Sequence, residues 1–293
     1  MANKMFLAFL LNGFFSVFEL AGSFITGSIS IASDAIHDLG DAITIGISWL
    51  LEKKSNRQPD DVYTYGYRRY SVLAGLFTTL VLLAGSVTVI SHAVGRILTP
   101  KEVHYDSMIL FAVVGVVVNF CAAYVTHGGH SVNQKAVNLH MLEDVLGWIA
   151  VLLGAIVIKV TRFWVVDPIL SILVAAFVLV NALKNLKNAL DILLEKTPRQ
   201  QSVKQLESLI LENDGVIDVH HIHLWSMDGI THYATLHLVT NEAPEVMKNA
   251  VRETLHHHGI AHVTLELETP GEHCHERICT TDASAPCCHH HHH

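Results

Sequence analysis

Charged side chains are scarce in this chain of 293 residues, at 16% against 51% hydrophobic. That excludes an ordinary soluble domain, in which about a quarter of the residues carry charge. Cysteine is nearly missing from the body of the chain, since four of the five follow residue 273. A disulfide-stapled fold is therefore excluded, and the late cysteines read as reduced thiols for metal. No GxxxxGK[ST] phosphate loop occurs, which argues against ATP hydrolysis by this chain. No HExxH occurs either, so the usual zinc-hydrolase pattern is lacking. Positive charge is in deficit, with a formal net charge of −8 carried mainly after residue 194, which argues against nucleic acid as a partner.

What the chain has is long apolar runs. Six of them, about 5–26, 29–51, 72–98, 107–125, 136–160 and 163–186, are each long enough to cross about 30 Å of hydrocarbon at about 1.5 Å per residue. The first superficially resembles a signal peptide, but it lacks a small-residue cleavage site before a polar chain and reads as a span. A mean hydropathy of +0.37 is moderate because the polar residues gather beyond 194. Basic residues cluster after span two (Lys53, Lys54, Arg57, Arg68, Arg69) and after span six (Lys184, Lys187, Lys196, Arg199). The positive-inside rule then places both termini in the cytoplasm, in agreement with an even number of spans.

Spans two and five are interrupted by acids and histidines. His37-Asp-Leu-Gly-Asp41 and His140-Met-Leu-Glu-Asp144 each set a His and an Asp four apart. On a helix these share a face, so two neighbouring helices would bring two nitrogens and two oxygens to one point. That is a tetrahedral shell for a borderline divalent cation such as zinc. A single HxxxD is as readily an incidental polar pair or a cap. Two copies at membrane depth, where ionisable groups are costly, mark an ion pathway. Two other classes stay open on these residues: an intramembrane metallohydrolase, with Glu143 beside the site, and a membrane-bound metal sensor.

After Thr197-Pro198 the period changes. The stretch 201–212 is amphipathic, 216–225 and 232–239 read as strands, 244–258 as a helix and 261–267 as a third strand. This order makes a small α+β domain with an antiparallel-dominated sheet. Alternation places His221 and His223 on one face and His220 on the other. The tail past Gly271 has no such pattern, and its terminal residues 289–293 read as an affinity tag. The organisation expected is thus 1–196 transmembrane, 197–270 cytoplasmic α+β and 271–293 a ligand-rich tail.

From about residue 5 to 268 the chain resembles the cation diffusion facilitator family of zinc transporters. The resemblance rests on Gly27-Ser-Ile-Ser-Ile-Ala-Ser-Asp-Ala-Ile-His37-Asp-Leu-Gly-Asp41, Tyr65-Gly-Tyr-Arg-Arg69 and Asn138-Leu-His140-Met-Leu-Glu-Asp144. Asp167-Pro-Ile-Leu-Ser171, Leu193-Leu-Glu-Lys-Thr-Pro198 and Val219-His-His-Ile-His-Leu-Trp225 continue it. It implies a six-helix transmembrane bundle with a ferredoxin-like, metallochaperone-like cytoplasmic domain. It also implies a homodimeric antiporter in the bacterial inner membrane, exchanging cytoplasmic zinc for protons, with cobalt or cadmium tolerated. His37, Asp41, His140 and Asp144 fall on the family's transport quartet. His220, His237 and Glu268 fall on its regulatory zinc ligands, with His262 one place from a further His position and Cys274 and Cys279 able to complete a shell. Arg69 and Glu195 match an inter-helix charge lock. The family's loop after span two commonly carries a His in a Tyr-Gly-x-His-Arg pattern and a Glu two residues after the basic one. Here Tyr67, Arg68 and Ser71 stand instead, so a metal site on that loop would have Asp60 and Asp61 without the His.

Exchange has a physical reason apart from the resemblance. Carrying a doubly charged ion outward against about 100 mV costs roughly 4.6 kcal/mol. Protons can supply it, because an unperturbed imidazole, the group His37 and His140 carry, titrates near neutral pH and metal competes with the proton for the same nitrogen. Asp34 reads either as an acid on the route into the site or as a polar group against the next helix. Asn119 reads either as a donor to a site carboxylate or as a bond between helices. Asp167 before Pro168 reads as a cap, and His127 and His130 as a solvated loop.

Overall fold

In the computed structural model residues 2–26, 29–98, 105–161, 165–199 and 201–272 are described. The chain divides into two units, Met1–Leu190 and Asp191–His293.

Six long helices supply the first unit: α1 (Ala2–Thr26), α2 (Ile29–Ser55), α3 (Arg69–Leu98), α4 (Tyr105–Thr126), α5 (Val132–Thr161) and α6 (Val166–Leu193). Among the described residues, four helices are long and apolar enough to cross a membrane by length and composition. These lie in 3–22, Arg69–Leu98, Val132–Thr161 and 168–193, and Ala112–Thr126 is a shorter apolar helix. The acids of α2 (Asp34, Asp38, Asp41, Glu52) lower its apolar character. Helices α2, α3, α5 and α6 overrun the expected spans at the ends that share one side of the bundle. There polar residues prolong the helix beyond the hydrocarbon thickness, which hydropathy does not register.

Large apolar residues point outward along every helix, Phe14 being 71% and Val160 80% exposed, as a lipid-facing surface requires. Alanines interleaved with larger apolar residues make the inner contacts. Met5, Ala8, Ile45, Ala122, Val137 and Met141 tie α1, α2, α4 and α5 together, while Leu82, Leu139, Val178 and Ala182 join α3, α5 and α6. Helix α4 approaches α5 closely enough that a Cβ on Gly115 would lie 2.5 Å from the Trp148 ring. Such close approach is the usual basis of helix packing in membranes.

The second unit runs α7 (Val203–Leu211), β1 (Val216–Ser226), β2 (His232–Thr240), α8 (Pro244–His257) and β3 (Ile260–Glu268). A Ser202/Gln205 capping box starts α7 and Pro244 starts α8, both ordinary N-terminal signals. The α+β class is as expected, but the sheet is mixed. Strands lie in the order β1-β2-β3, with β1–β2 antiparallel and β2–β3 parallel. Helix α8 makes the crossover that parallel strands need. Leu236 and Leu238 join residues of α7 and α8 in the core. Alternation therefore sends His237 to the opposite face of the sheet.

Candidate metal centres

Helix α2 brings Asp41 and helix α5 brings His140 and Asp144 to one place in the first unit, with one ligand atom from each lying within 4.8 Å of the others. His140 Nε2 is 3.4 Å from Asp41 Oδ1. Two atoms held about 2.0–2.1 Å from a tetrahedral ion are about 3.3–3.4 Å apart, so this pair is already spaced for one. Asp41 and His140 are 5% and 3% exposed. Neither ring nitrogen of His140 and not Oδ2 of Asp144 makes a hydrogen bond. Leaving such atoms buried without partners is expensive, and a divalent cation satisfies all of them while two carboxylates cancel its charge. His37 lies on α2 one turn before Asp41, which puts it on the same face. Its side chain is outside the described ones, as are those of Asp34 and Asp167.

On the loop between α2 and α3, Asp60 is engaged by protein donors. Tyr67 Oη donates to one oxygen at 2.6 Å, the Tyr63 and Val62 amides to the other, and Arg57 lies 3.3 Å away. The Tyr67 hydroxyl, first, holds its carboxyl below the usual range. Asp60 thus shapes the turn rather than offering free lone pairs to a metal. Arg69 opens α3. Glu195 follows α6 with φ 57°, a left-handed turn that ends the helix.

In the second unit His220, His237 and Glu268 form another cluster, again within 4.8 Å. His237 Nδ1 is 2.7 Å from Glu268 Oε1 and His220 Nε2 is 3.3 Å from Glu268 Oε2. Neither nitrogen of His220 is hydrogen-bonded, so nitrogen and carboxylate donors suited to zinc stand ready. Asp218 and Glu266 flank the pair, 3.3 Å from His220 Nδ1 and 3.4 Å from His237 Nε2.

Strand alternation fails at this point. Register shifts between His220 and His223, and His221 takes φ 50°, a strained conformation that clusters at functional sites. The bulge turns the His221 ring onto His237, with centroids 4.8 Å apart, while His220 lies 5.4 Å from the same ring. Sequence periodicity separates His220 from His221; the bulge gathers both. His262 is not brought in. It sits six residues before Glu268 on β3, about 20 Å along the strand, and packs on Tyr233 at 5.1 Å. Cys274 and Cys279 lie outside the described residues.

His232, buried on β2, is pushed below the usual imidazole pKa by burial, against a smaller upward pull from Asp228. The unfolded chain therefore binds the proton first on acidification. His232 contributes stability above about pH 6.5, which is lost as pH falls through its folded value. Between about pH 7.5 and about pH 5.5, thermal unfolding of the C-terminal unit in the detergent-solubilised chain is expected to move down more in wild type than in His232→Gln. Equal shifts would show that His232 does not carry this dependence.

A profile for the cation efflux transmembrane domain matches residues 5–194, and one for the cation efflux protein cytoplasmic domain matches residues 198–270. The chain belongs to the cation efflux family. Among its relatives, this cation efflux protein is 32% identical over 301 residues to zinc transporter ZitB of Yersinia pseudotuberculosis, spanning 100% of this chain and 95% of that one. It is 29% identical to a cadmium, cobalt and zinc/H(+)-K(+) antiporter of Bacillus subtilis, over 92% of this chain and 90% of the relative. With metal cation efflux system protein CzcD of Cupriavidus metallidurans it shares 30% identity, over 89% and 85%. The cation efflux protein is accordingly an integral membrane transporter of metal cations, not an enzyme.

Polar residues that the sequence reading passed over also line the helices. Glu19 of α1 is 1% exposed and Glu52 of α2 is 5% exposed. Glu19 interrupts an apolar run, and that interruption was the available signal. Glu52 is followed directly by Lys53 and Lys54 and looks like the start of a solvated loop.

Proposed function

We propose that the chain exports zinc from the cytoplasm in exchange for protons, with cobalt and cadmium as tolerated substrates. Asp41, His140 and Asp144 hold the ion, with His37 as fourth ligand. The observation that carries this is the buried imidazole with two unbonded nitrogens set between two carboxylates on neighbouring long helices. In the metal-free state a proton takes the place of the cation on the imidazole, so loading one expels the other. The donor set of nitrogen and carboxylate suits zinc better than the harder manganese or magnesium, and the names of the relatives agree. The decisive experiment is zinc uptake into proteoliposomes under an imposed pH gradient. Uptake should rise with the gradient and fall to the leak when a protonophore collapses it; uptake indifferent to the gradient would refute proton coupling.

The remaining assignments follow this reading. Domain 1–196 resides in the bacterial inner membrane with both termini cytoplasmic, Arg69 and Glu195 pair as a charge lock, and domain 197–270 joins two copies into a homodimer, with residues 271–293 as the tail. His220, His237 and Glu268 hold a regulatory zinc; when bound, the ion supplies a cross-link between β1, β2 and β3. Free zinc at about 100 times its dissociation constant then stabilises that unit by about 2.7 kcal/mol. Zinc should raise its unfolding temperature in wild type and have a much smaller effect in His237→Ala; an equal rise in both would exclude the cluster.

A further inference from the structure

Glu52 is a buried carboxylate that no Lys, Arg or His pairs with among the described residues. Neutral donors surround it instead. Ser71 Oγ and Asn133 Nδ2 donate to Oε2 at 2.6 and 2.9 Å, and Gln134 Nε2 and Ser131 Oγ donate to Oε1 at 2.8 and 3.2 Å. Ser71 comes from the first turn of α3, and the other three from the start of α5. Asn133 also donates to the Ser48 carbonyl at 3.1 Å, and the Ser48 hydroxyl meets that of Thr78 at 2.6 Å. One carboxylate thus ties the ends of three helices.

Its spacing relates it to the metal cluster. Glu52 follows Asp41 by 11 residues on α2, and Asn133 precedes Asp144 by 11 on α5. Eleven residues make about three turns and about 16 Å, with a residual rotation of only about 20°. Both pairs therefore lie on the same two helix faces, as two rungs between antiparallel helices. A route along these two faces from the α2–α3 loop end to Asp41 and His140 passes the Glu52 level.

We propose that Glu52 is a positioning residue for transport, a polar rung that closes the α2–α5 seam on the α2–α3 loop side and must break for the metal cluster to open there. A charge is suited to such a rung. When it opens, water hydrates the freed carboxylate and offsets the lost bonds, so closed and open states stay close in free energy. An apolar seam would resist wetting instead. The inference rests on the transport reading, but its test does not need metal.

Thr44 is buried on α2 between the two rungs and Ala8 is buried on α1. In a full-length chain with its five cysteines changed to Ser, labelling of Thr44→Cys by a water-soluble maleimide in detergent reports the rung, and labelling of Ala8→Cys the integrity of the bundle. Glu52→Gln puts an NH2 among donors and should speed Thr44→Cys labelling about tenfold or more, with Ala8→Cys still protected. Glu52→Ser with Ser71→Glu moves the carboxylate across the 2.6 Å bond to α3 and should restore protection to within about threefold. Thr44→Cys labelling at the parent rate in Glu52→Gln, or no restoration by the exchange of Ser and Glu, overturns the proposal. Were the parent protein to move no zinc, the transport reading would fail while the labelling result stood.

Discussion

Replacing Asp41 with alanine is expected to cut zinc uptake into proteoliposomes more than about 100-fold, beyond what groups supporting a metal ligand contribute. The substitution removes one of the two carboxylates that balance the charge of the ion and takes away the oxygen 3.4 Å from His140 Nε2. What remains is the His37 and His140 imidazoles and a single carboxylate, one donor and one negative charge short of the closed shell. The fold should survive, because Asp41 contributes to the site rather than to the apolar contacts of Ile45, Val137 and Met141. A monodisperse, thermally stable Asp41→Ala protein that still carried zinc would remove the ion from this cluster. The same variant separates transport from sensing: a protein acting only through His220, His237 and Glu268 would keep its zinc-dependent stabilisation and be indifferent to Asp41. His140→Asp supplies a finer check, since three carboxylates with only the His37 imidazole should weaken the preference for zinc and shift it toward harder cations such as manganese.

The clustering of Asp41, His140 and Asp144 was legible because its signal is periodic and out of place. A His and an Asp four apart can be read off any helix, and inside runs such as 29–51 they contradict their surroundings. The helices themselves follow from hydropathy, apart from ends such as Asn133-Gln-Lys135 that continue in polar residues. Three features were not legible, for different reasons. The parallel β2–β3 pairing depends on where α8 returns the chain, and the pattern of β3 is equally compatible with a hairpin. At His221, a positive φ gathers three imidazoles, but His is not a residue that announces a bulge as Gly does. Glu52 lies beside Lys53 and Lys54 at a helix end, where a charge is ordinarily solvated; only the folded α5 shows that Ser131, Asn133 and Gln134 enclose it. Ser71, where the resemblance leads one to expect Glu, is the partner of this carboxylate, so a departure from the family pattern and an unforeseen buried acid form one feature.

A second large effect concerns a residue with no side chain. A Cβ placed on Gly75 of α3 would lie 2.8 Å from the Asn133 amide nitrogen and 2.9 Å from the Val132 carbonyl carbon. Both atoms belong to the α5 backbone, which cannot rotate aside as a flexible side chain would. Gly85 on the same helix has nothing within 4 Å of its added Cβ. Gly75→Val should therefore lose about 3 kcal/mol or more through overpacking, whereas Gly85→Val should be near neutral, because escaping the helix penalty of glycine offsets the lower propensity of valine. Heating the two variants in detergent and following the monodisperse fraction compares them directly, and equal losses would show that α3 and α5 do not meet at Gly75. The contact also bears on Glu52. Pushing the first turn of α5 away from α3 carries Asn133 and Gln134 off the carboxylate. Gly75→Val should then expose Thr44→Cys to maleimide much as Glu52→Gln does, although it alters no polar group. That equivalence distinguishes a rung held by helix geometry from one held by the charge of Glu52 alone.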